Sequence, residues 1–271
     1  MTDYPPCEHP YDGWKVDGVP LDREGFLVAQ FVEGSPIRRG TDLTVARRPG
    51  ALYRQKYYGE RRQQLVVWAL KGDEFGNVRG GAERNVDRLK RLFGGGLRQV
   101  ELVRTLSLPF ERVSTRSALV ELVDALEGRR TALTQDGVYV QFQLDLLFSD
   151  PFWREPENVV ALAPDGYGTS VVYNPGTVTS RDLVVRVDGP ATDPVLAFEP
   201  GGTVSRLTTT IAPGDWVEVD SGAYTVVDQD GTSLAGALDR DQVEVALLAP
   251  GRNEVTVTDG TASLRWRPAY L

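Results

Sequence analysis

The second half of the chain consists of short apolar or alternating runs that are separated by turn-forming residues. These runs lie at residues 183–187, 195–198, 207–211, 216–219, 224–227, 243–248, 254–257 and 262–266. Gly, Pro, Asp and Asn stand between them, as in Pro213-Gly214-Asp215 and Asp230-Gly231. Short strands at regular spacing with turn signals between them are typical of packed antiparallel sheets. We therefore expect an antiparallel β-sandwich or a jelly roll in this half.

The first half also contains strand patterns, but longer charged segments separate them. Residues 65–70 form a continuous apolar run of strand length, and residues 98–104 and 138–146 alternate with period two. Alternation of this kind is typical of half-buried strands. Residues 118–126 suit a helical turn as well as a strand, and their periodicity does not decide between the two.

One segment of the first half predicts a helix. Residues 82–93 are amphipathic, because Val86, Leu89 and Phe93 share one face of a helix with 3.6 residues per turn. The three glycines at 94–96 end it. Together with the strand patterns, this single helix predicts a chain that is mainly β with minor α.

The charge distribution divides the chain near the same place as the change in pattern. The net charge is −8, and residues 1–156 hold 23 basic and 22 acidic residues, whereas residues 157–271 hold 7 and 16. An acidic second half argues against nucleic-acid binding there. We expect two domains, at residues 1–153 and 154–271.

The segment between the two halves is stiff and aromatic. This junction comprises Asp150, Pro151, Phe152 and Trp153, and a second proline, Pro156, follows three residues after Trp153. Each proline holds the residue before it in an extended conformation. Phe152 and Trp153 are too large and apolar for a loose tether. We expect these two rings to pack at the domain boundary and to hold the two halves in a fixed geometry.

Signals for catalysis or metal binding are weak in this sequence. The only cysteine and the only histidine, Cys7 and His9, could form a thiol nucleophile or half of a zinc site, but the second pair of ligands is missing. The favoured interpretation is that they are two polar residues of a mobile or partner-bound tail. Phosphate-binding loops and nucleophile elbows are absent, and abundant carboxylates alone do not indicate a glycosidase. Asp228 begins a faint calcium-loop pattern that also matches a hairpin turn. We expect no catalytic residue, no cofactor and no metal.

Three large aromatic residues in the second half could stack on sugar rings. Trp266 shares a strand face with Leu264, which indicates a core position. Trp216 shares its strand face with Glu218 and is the better candidate for an exposed platform, and Tyr224 is the third candidate. Burial in a core or an interface is the default for such large aromatic residues. No run of apolar residues is long enough to span a membrane, and the first residues lack a signal-peptide pattern. We therefore expect no membrane insertion.

The most unusual segment is residues 38–62, which holds eight basic residues, two acidic residues and three interleaved tyrosines. Arginine and tyrosine are enriched at the energetic centres of protein interfaces. A solvated hairpin and a nucleic-acid contact are the alternatives. The residues that we predict at a subunit or partner interface are Arg38, Arg39, Arg47, Arg48, Tyr57, Tyr58, Arg61 and Arg62.

The order of several motifs resembles the distal tail proteins of long-tailed, siphovirus-type bacteriophages. An early strand with Gly18 and Leu21 is followed by SPIRRG and, after a long loop, by RRQQLVVW. A strand that ends in Asp-Pro and an aromatic pair follows, VQFQLDLLFSDPFW at residues 140–153, and it is the best match. Near the end of the chain, APGRNEVTV precedes a final strand and RPAYL.

The resemblance implies a structural virion protein with no catalytic residues. Residues 1–153 would be a belt domain that forms a homo-hexameric ring, and residues 154–271 a galectin-like β-sandwich. The ring would join the tail tube protein to the tail-tip hub protein at the baseplate, and genomic DNA would pass through its lumen. The protein would be made in the host cytoplasm and located in the virion tail. The alternatives are a carbohydrate-binding tail-tip adhesin that recognises cell-wall sugars and a tail-associated hydrolase.

Overall fold

The structure is a computed structural model that describes part of the chain in two compact units. The units are Met1–Trp153 with Leu271, and Arg154–Tyr270. Within the described residues the protein is mainly β with one α-helix, which confirms the predicted fold class, and no described helix is long and apolar enough to cross a membrane. The described residues are 13–23, 25–40, 43–44, 51–52, 57–71, 81–94, 98–108, 112–124, 126, 128–129, 139–163, 165, 167–239 and 246–271.

The first unit contains the helix and thirteen of the described strands. The last of these strands, at Trp153–Arg154, includes the first residue of the second unit. In chain order these elements are β1 (Gly13–Val16), β2 (Val19–Pro20), β3 (Phe26–Val32), β4 (Arg38–Arg39), β5 (Leu43–Thr44), β6 (Ala51–Leu52), β7 (Tyr57–Tyr58), β8 (Arg61–Leu70), α1 (Gly81–Leu92), β9 (Gln99–Leu108), β10 (Arg112–Leu122), β11 (Gly128–Arg129), β12 (Tyr139–Phe148) and β13 (Trp153–Arg154).

One large antiparallel sheet forms the body of the first unit, in the order β2-β1-β9-β10-β12-β8-β3. The strand pair β12 and β8 runs in register from Tyr139↔Leu70 to Phe148↔Arg61. In β12 every second residue is buried, as the alternating pattern predicts. The predicted strands at 65–70, 98–104 and 138–146 are therefore confirmed.

The undecided segment 118–126 belongs to a strand as far as Leu122. Its residues pair with β9, as in Ala118↔Leu102 and Leu119↔Glu101. Burial of Ala118, Val120 and Leu122 on one face gives it the period of a strand. The local pattern was compatible with both structures, and cross-strand pairing decides between them.

The predicted helix is confirmed as α1. Ala82, Val86, Leu89 and Phe93 are buried, so the apolar stripe faces the sheet. The side chain of Asn85 donates a hydrogen bond from Nδ2 to the carbonyl oxygen of Leu70, at 2.9 Å, which ties the helix to the end of β8. The chain leaves the helix through Gly94, which has a positive φ of 56°.

The second unit contains two antiparallel sheets. The strands are β14 (Asn158–Leu162), β15 (Gly168–Asn174), β16 (Leu183–Asp188), β17 (Ala191–Thr192), β18 (Val195–Glu199), β19 (Thr203–Arg206), β20 (Thr210–Ile211), β21 (Trp216–Asp220), β22 (Thr225–Asp228), β23 (Gly251–Val257), β24 (Thr261–Trp266) and β25 (Ala269–Tyr270), with a short 3-10 helix at Ala235–Ala237.

These sheets form a β-sandwich, as the spacing of the runs predicts. One sheet has the order β14-β24-β16-β21-β22 and the other β15-β23-β18-β19. Side chains from both sheets share one buried cluster, which includes Val185 and Val219 from one sheet and Phe198 and Val255 from the other. Leu264 and Trp266 are buried in this cluster, which confirms the core prediction for Trp266.

The structure differs from the predicted strand pattern in the middle and at the start of this half. The run at 207–211 is a strand only at Thr210–Ile211, while Leu207 forms a single bridge with Leu238. Part of the run at 243–248 lies outside the described residues. The strands β14 and β15 precede the first predicted run, and no strand was predicted there.

Candidate interaction surface

The two ends of the basic segment 38–62 are brought together by strand pairing. In the two-stranded ladder of β4 and β7, Arg38 pairs with Tyr58 and Arg39 with Tyr57. Two backbone hydrogen bonds extend the ladder, from Ile37 N to Glu60 O at 3.1 Å and from Gly59 N to Ile37 O at 2.7 Å.

Not all of the predicted interface residues fall within the described part of the chain. Arg47 and Arg48 lie outside the described residues, and Tyr57 is described by its backbone alone. Arg38, Arg39, Tyr58 and Arg62 are exposed side chains of the described part. We call Ile37, Arg38, Arg39 and Tyr58 the Arg38 surface.

Arg61 is not exposed, and this corrects its place among the predicted interface residues. Only 3% of the residue is accessible to solvent. Its Nε donates a hydrogen bond to the carbonyl oxygen of Gly34 at 2.5 Å, and its Nη1 donates one to the carbonyl oxygen of Pro151 at 3.4 Å. With its side-chain amide turned so that the oxygen faces Arg61, Gln63 accepts from Nε and Nη2 at 2.6 and 2.7 Å. The guanidinium is therefore used inside the chain and is not available to a partner.

The carboxylate of Glu33 offsets part of the cost of burying the Arg61 charge. Burial lowers the pKa of its guanidinium below the usual value, and the nearby carboxylate of Glu33 opposes this shift. Glu33 also forms an ion pair with Arg104 Nη1 at 2.6 Å. The Arg104 guanidinium lies over the rings of Trp14 and Phe31, at 5.2 and 5.3 Å from their centroids.

Gly34 is a functional position that sequence reasoning missed. A Cβ atom at this residue would overlap the carbonyl oxygen of Arg62. Only glycine allows the backbone to approach β8 this closely, and the close approach places the Gly34 carbonyl within reach of Arg61. The only signal in the sequence is the position of this glycine just before SPIRRG, which does not indicate its partner.

The exposed part of the Arg38 surface combines cationic and apolar groups. Arg39 Nη2 forms an ion pair with Glu60 at 3.2 Å, in which both side chains are exposed. Ile37 and Tyr58 are exposed large hydrophobic residues beside these charges. A shallow cleft adjoins the surface, lined by Glu33, Pro36, Arg38, Tyr58, Arg61 and Leu271. Arginine and aromatic residues around an apolar patch match the composition of interface cores.

The predicted junction residues lie against the same region of the first unit. Asp150 accepts a hydrogen bond at Oδ1 from the backbone N–H of Phe152, at 3.3 Å. Pro151 is buried, and its carbonyl is the acceptor for Arg61. The Phe152 ring meets Tyr58 edge-on, with ring centroids 5.7 Å apart. The structure thus connects two sets of residues that the sequence predicted separately.

Trp153 is the centre of a buried aromatic cluster in the first unit. Its ring lies edge-on to Phe148, Trp14 and Phe31, with centroid distances of 5.2, 6.2 and 6.3 Å. Trp153 is almost fully buried, and no residue in the described part of the chain accepts a hydrogen bond from its Nε1. The ring thus packs inside the first unit, whereas packing at the domain boundary and a fixed geometry between the two halves stay predictions.

The other candidate groups have local structural roles or lie elsewhere. Cys7 and His9 are outside the described residues. Asp228 accepts hydrogen bonds from the backbone N–H groups of Asp230 and Thr232, at 3.0 and 2.8 Å, as in a hairpin turn. Among the described residues no three His, Cys, Asp or Glu side chains group in a way that could hold a metal ion.

The two candidate sugar platforms differ in how open they are. The ring of Trp216 is partly exposed, and the guanidinium of Arg186 lies over it, 4.6 Å from the centroid. That guanidinium also pairs with Asp188 at 2.7 Å. Tyr224 is exposed at a turn with a positive φ of 56°. One face of the Trp216 ring is thus already occupied, so the geometry does not favour this residue as a stacking platform.

Comparison with solved structures identifies the fold. The Dit protein (gp 19.1) of phage SPP1, described as a paradigm of the hub adsorption apparatus in phages that infect Gram-positive bacteria, superposes with a TM-score of 0.67 over 96% of this chain and 99% of its own, at 15% sequence identity. This chain has the fold of the SPP1 Dit protein. The fold expected from the resemblance to distal tail proteins is thereby confirmed.

Two further solved structures and two sequence comparisons complete the findings. Proteins of the phage p2 baseplate, in activated conformations with strontium and with calcium, match at TM-scores of 0.43 and 0.41 and 10% identity. They cover 94% and 95% of this chain and 97% and 98% of their own. No protein-family model and no curated protein matches the sequence.

Proposed function

We propose that this chain is a structural protein of the tail of a long-tailed bacteriophage, with the role of a distal tail protein. The observation that carries the proposal is the shared fold with the SPP1 Dit protein over nearly the whole of both chains. The motif order around residues 140–153 supports it independently, because it depends on sequence and not on backbone geometry. The proposed role is structural rather than enzymatic and uses no cofactor.

In this proposal the two halves of the chain have different tasks. Residues 1–153 form the belt domain, six copies of which close into a ring, and residues 154–271 form a galectin-like sandwich. Closed cyclic symmetry is the usual outcome of heterologous contacts between identical subunits. The ring would join the tail tube protein to the tail-tip hub protein, and genomic DNA would cross it only in transit.

The Arg38 surface is the proposed contact with a neighbouring subunit or the adjoining tail ring. Its exposed arginines can pair with carboxylates in a planar, bidentate geometry that lysine does not reproduce. Arg62 is exposed on β8 and belongs to the same proposal. Arg47, Arg48 and Tyr57 stay predicted members, and Arg61 is excluded because it is buried.

Electron cryo-microscopy of purified virions tests the proposed function. We expect a ring of six copies at the end of the tail tube, with residues 1–153 forming the ring itself. Mass spectrometry of the same particles should detect the chain among the tail proteins. A map in which the protein is a monomeric appendage, or particles that lack it, would contradict the proposal.

A further inference from the structure

Two neighbouring strands of the second unit end its sheets on the same side. The strand β14 is the end of the five-stranded sheet, and β15 is the end of the four-stranded sheet. The two strands lie beside each other at this side of the sandwich. A hydrogen bond from Ala163 N to Ser170 Oγ, at 3.0 Å, fixes the connection between them.

The two end strands on this side carry no charge although the unit is acidic. Neither Asn158–Leu162 nor Gly168–Asn174 contains a charged residue. Large apolar side chains on these strands are nonetheless exposed. The exposed fraction is 61% for Val159, 58% for Val171 and 65% for Tyr173, and it is 72% for Tyr167, which immediately precedes β15. Natural proteins normally protect the end of a sheet with charges, prolines or bulges.

The opposite ends of the same two sheets show that protection. The strand β19 carries Arg206 and β22 carries Asp228. Next to these strands, single bridges join Leu207 to Leu238 and Val227 to Ser233. Among the described residues, β19 and β22 therefore carry a charged residue and have a bridge beside them. In the same part of the chain, the strands β14 and β15 have neither a charged residue nor such a bridge.

The backbone of β15 is suited to accept another strand. It pairs with β23 over seven consecutive residues without a register shift, from Gly168↔Val257 to Asn174↔Gly251. In an antiparallel ladder alternate residues direct their N–H and C=O groups away from the neighbour. Among the described strands none lies on the other side of β15, so no described strand occupies this row of groups.

We propose that the free side of β15 binds an extended strand of another protein. The unit Arg154–Tyr270 has 8 basic and 17 acidic residues, a net charge of −9. Two copies of so acidic a unit repel each other, which disfavours a second copy of this chain as the occupant. The partner segment is therefore uncharged where it pairs with β15 and basic where it leaves the strand.

Strand binding at β15 rests on the proposed function in one respect: the partner is taken to be a protein of the virion tail. Strand addition of this kind takes its affinity from main-chain hydrogen bonds and its specificity from alternate side chains. Val171 and Tyr173 are the alternate side chains that such a partner would meet. The contact is separate from the Arg38 surface, which lies in the first unit.

Hydrogen exchange of the isolated protein and of purified tails tests the proposal. We expect the amides of residues 168–174 to exchange about tenfold more slowly, or slower still, in tails. Residues 203–206, at the opposite end of the same sheet, should exchange equally in both samples. Tyr173 replaced by the photo-crosslinking residue p-benzoylphenylalanine should crosslink to an uncharged, basic-flanked segment of a different tail protein.

A matched pair of charged variants makes the test specific. Val171→Lys places a cation at the proposed contact and should abolish both the protection and the crosslink. Val204→Lys makes the same change on β19 and should leave both intact. Three results would each overturn the inference and leave the proposed function unaffected. They are equal exchange of residues 168–174 in the two samples, a crosslink only to a second copy of this chain, and no effect of Val171→Lys. Absence of the chain from tails would overturn the proposed function together with the inference.

Discussion

Arg61 and Gly34 are joined by a hydrogen bond of 2.5 Å, from the guanidinium Nε to the carbonyl oxygen, although 27 residues separate them in the chain. The same side chain also reaches the carbonyl of Pro151, 90 residues away. One buried arginine therefore links the start of β8, the segment before β4 and the junction. It is a structural residue, whereas the other arginines of the segment that the structure describes, Arg38, Arg39 and Arg62, are exposed.

Replacement of Arg61 by alanine should destabilise the first unit. The change leaves the half-buried Gly34 carbonyl and the buried Pro151 carbonyl without their donor, and loss of the partner costs about 1–3 kcal/mol for a buried polar group. Urea denaturation followed by tryptophan fluorescence measures the loss. The control is Arg62→Ala, an exposed neighbour that should change the free energy of unfolding by about 0.5 kcal/mol or less. Equal effects of the two changes would contradict the buried role of Arg61.

Replacement of Gly34 by alanine should also destabilise the protein. The added methyl group would overlap the Arg62 carbonyl, and forced repacking of this kind costs about 1–3 kcal/mol. Gly236→Ala serves as the control, because, apart from its chain neighbours, no described residue has an atom within 4 Å of the added Cβ. Thermal unfolding of both variants compares them. A Gly34→Ala protein as stable as the control would show that this close approach is not required.

Reversal of charge at Arg38 and Arg39 should block ring assembly and leave the chain folded. Both side chains are exposed, and the ion pair of Arg39 with Glu60 contributes at most about 1 kcal/mol because it is exposed. Size-exclusion chromatography with light scattering reports assembly, and circular dichroism reports folding. Arg252→Glu reverses an arginine in a similar exposed pair with Glu254 in the second unit and should assemble normally. If the double variant Arg38→Glu, Arg39→Glu assembled normally, these two residues would not belong to the interface.

Replacement of Trp153 by alanine should cost about 3–5 kcal/mol, as large-to-small changes of buried aromatic residues do. Trp153→Phe keeps a ring in the cluster and removes the unpaired Nε1, so its cost should be clearly smaller. Chemical denaturation of both variants gives the comparison. If the two variants were equally unstable, the stabilisation would not come from the packing of the ring.

If the chain forms the proposed ring, that ring should not bind double-stranded DNA tightly. An arginine that faced the channel would attract phosphate, and six subunits would multiply this attraction, which would hinder passage of the genome. We therefore expect the basic segment to be neutralised by carboxylates or turned outward. Titration of the purified ring with DNA at low and physiological salt measures this, because phosphate contacts make affinity fall steeply with salt. Tight binding with a steep salt dependence would place the arginines in the channel.

Local sequence patterns predicted most of the secondary structure. The helix at 82–93 and the strand at 138–146 could be recognised because burial of one face imposes its own period on the chain. Trp266 was assigned to the core for the same reason. In β15 the buried Val172 stands between the exposed Val171 and Tyr173, so three consecutive apolar residues hide the alternation that would mark the strand.

The interaction surface was only partly predictable. Arginine and tyrosine content pointed to residues 38–62, and Asp150, Pro151, Phe152 and Trp153 were singled out as a junction. That these two segments meet depends on strand pairing and on a hydrogen bond across 90 residues, which composition does not encode. Arg61 and Arg62 are adjacent and identical in the sequence, yet one is buried and the other is exposed.

The sequence by itself determined the mainly β class, the position of the single helix, the change in charge between the halves and the motif order shared with distal tail proteins. Those properties follow from local periodicity and composition, which each segment carries alone. The tertiary structure alone decided which arginines face solvent, which carbonyls they bind and which strands end a sheet. The reason is physical: alternate residues of a strand point to opposite faces, and only the neighbours on each face decide which of them meets water.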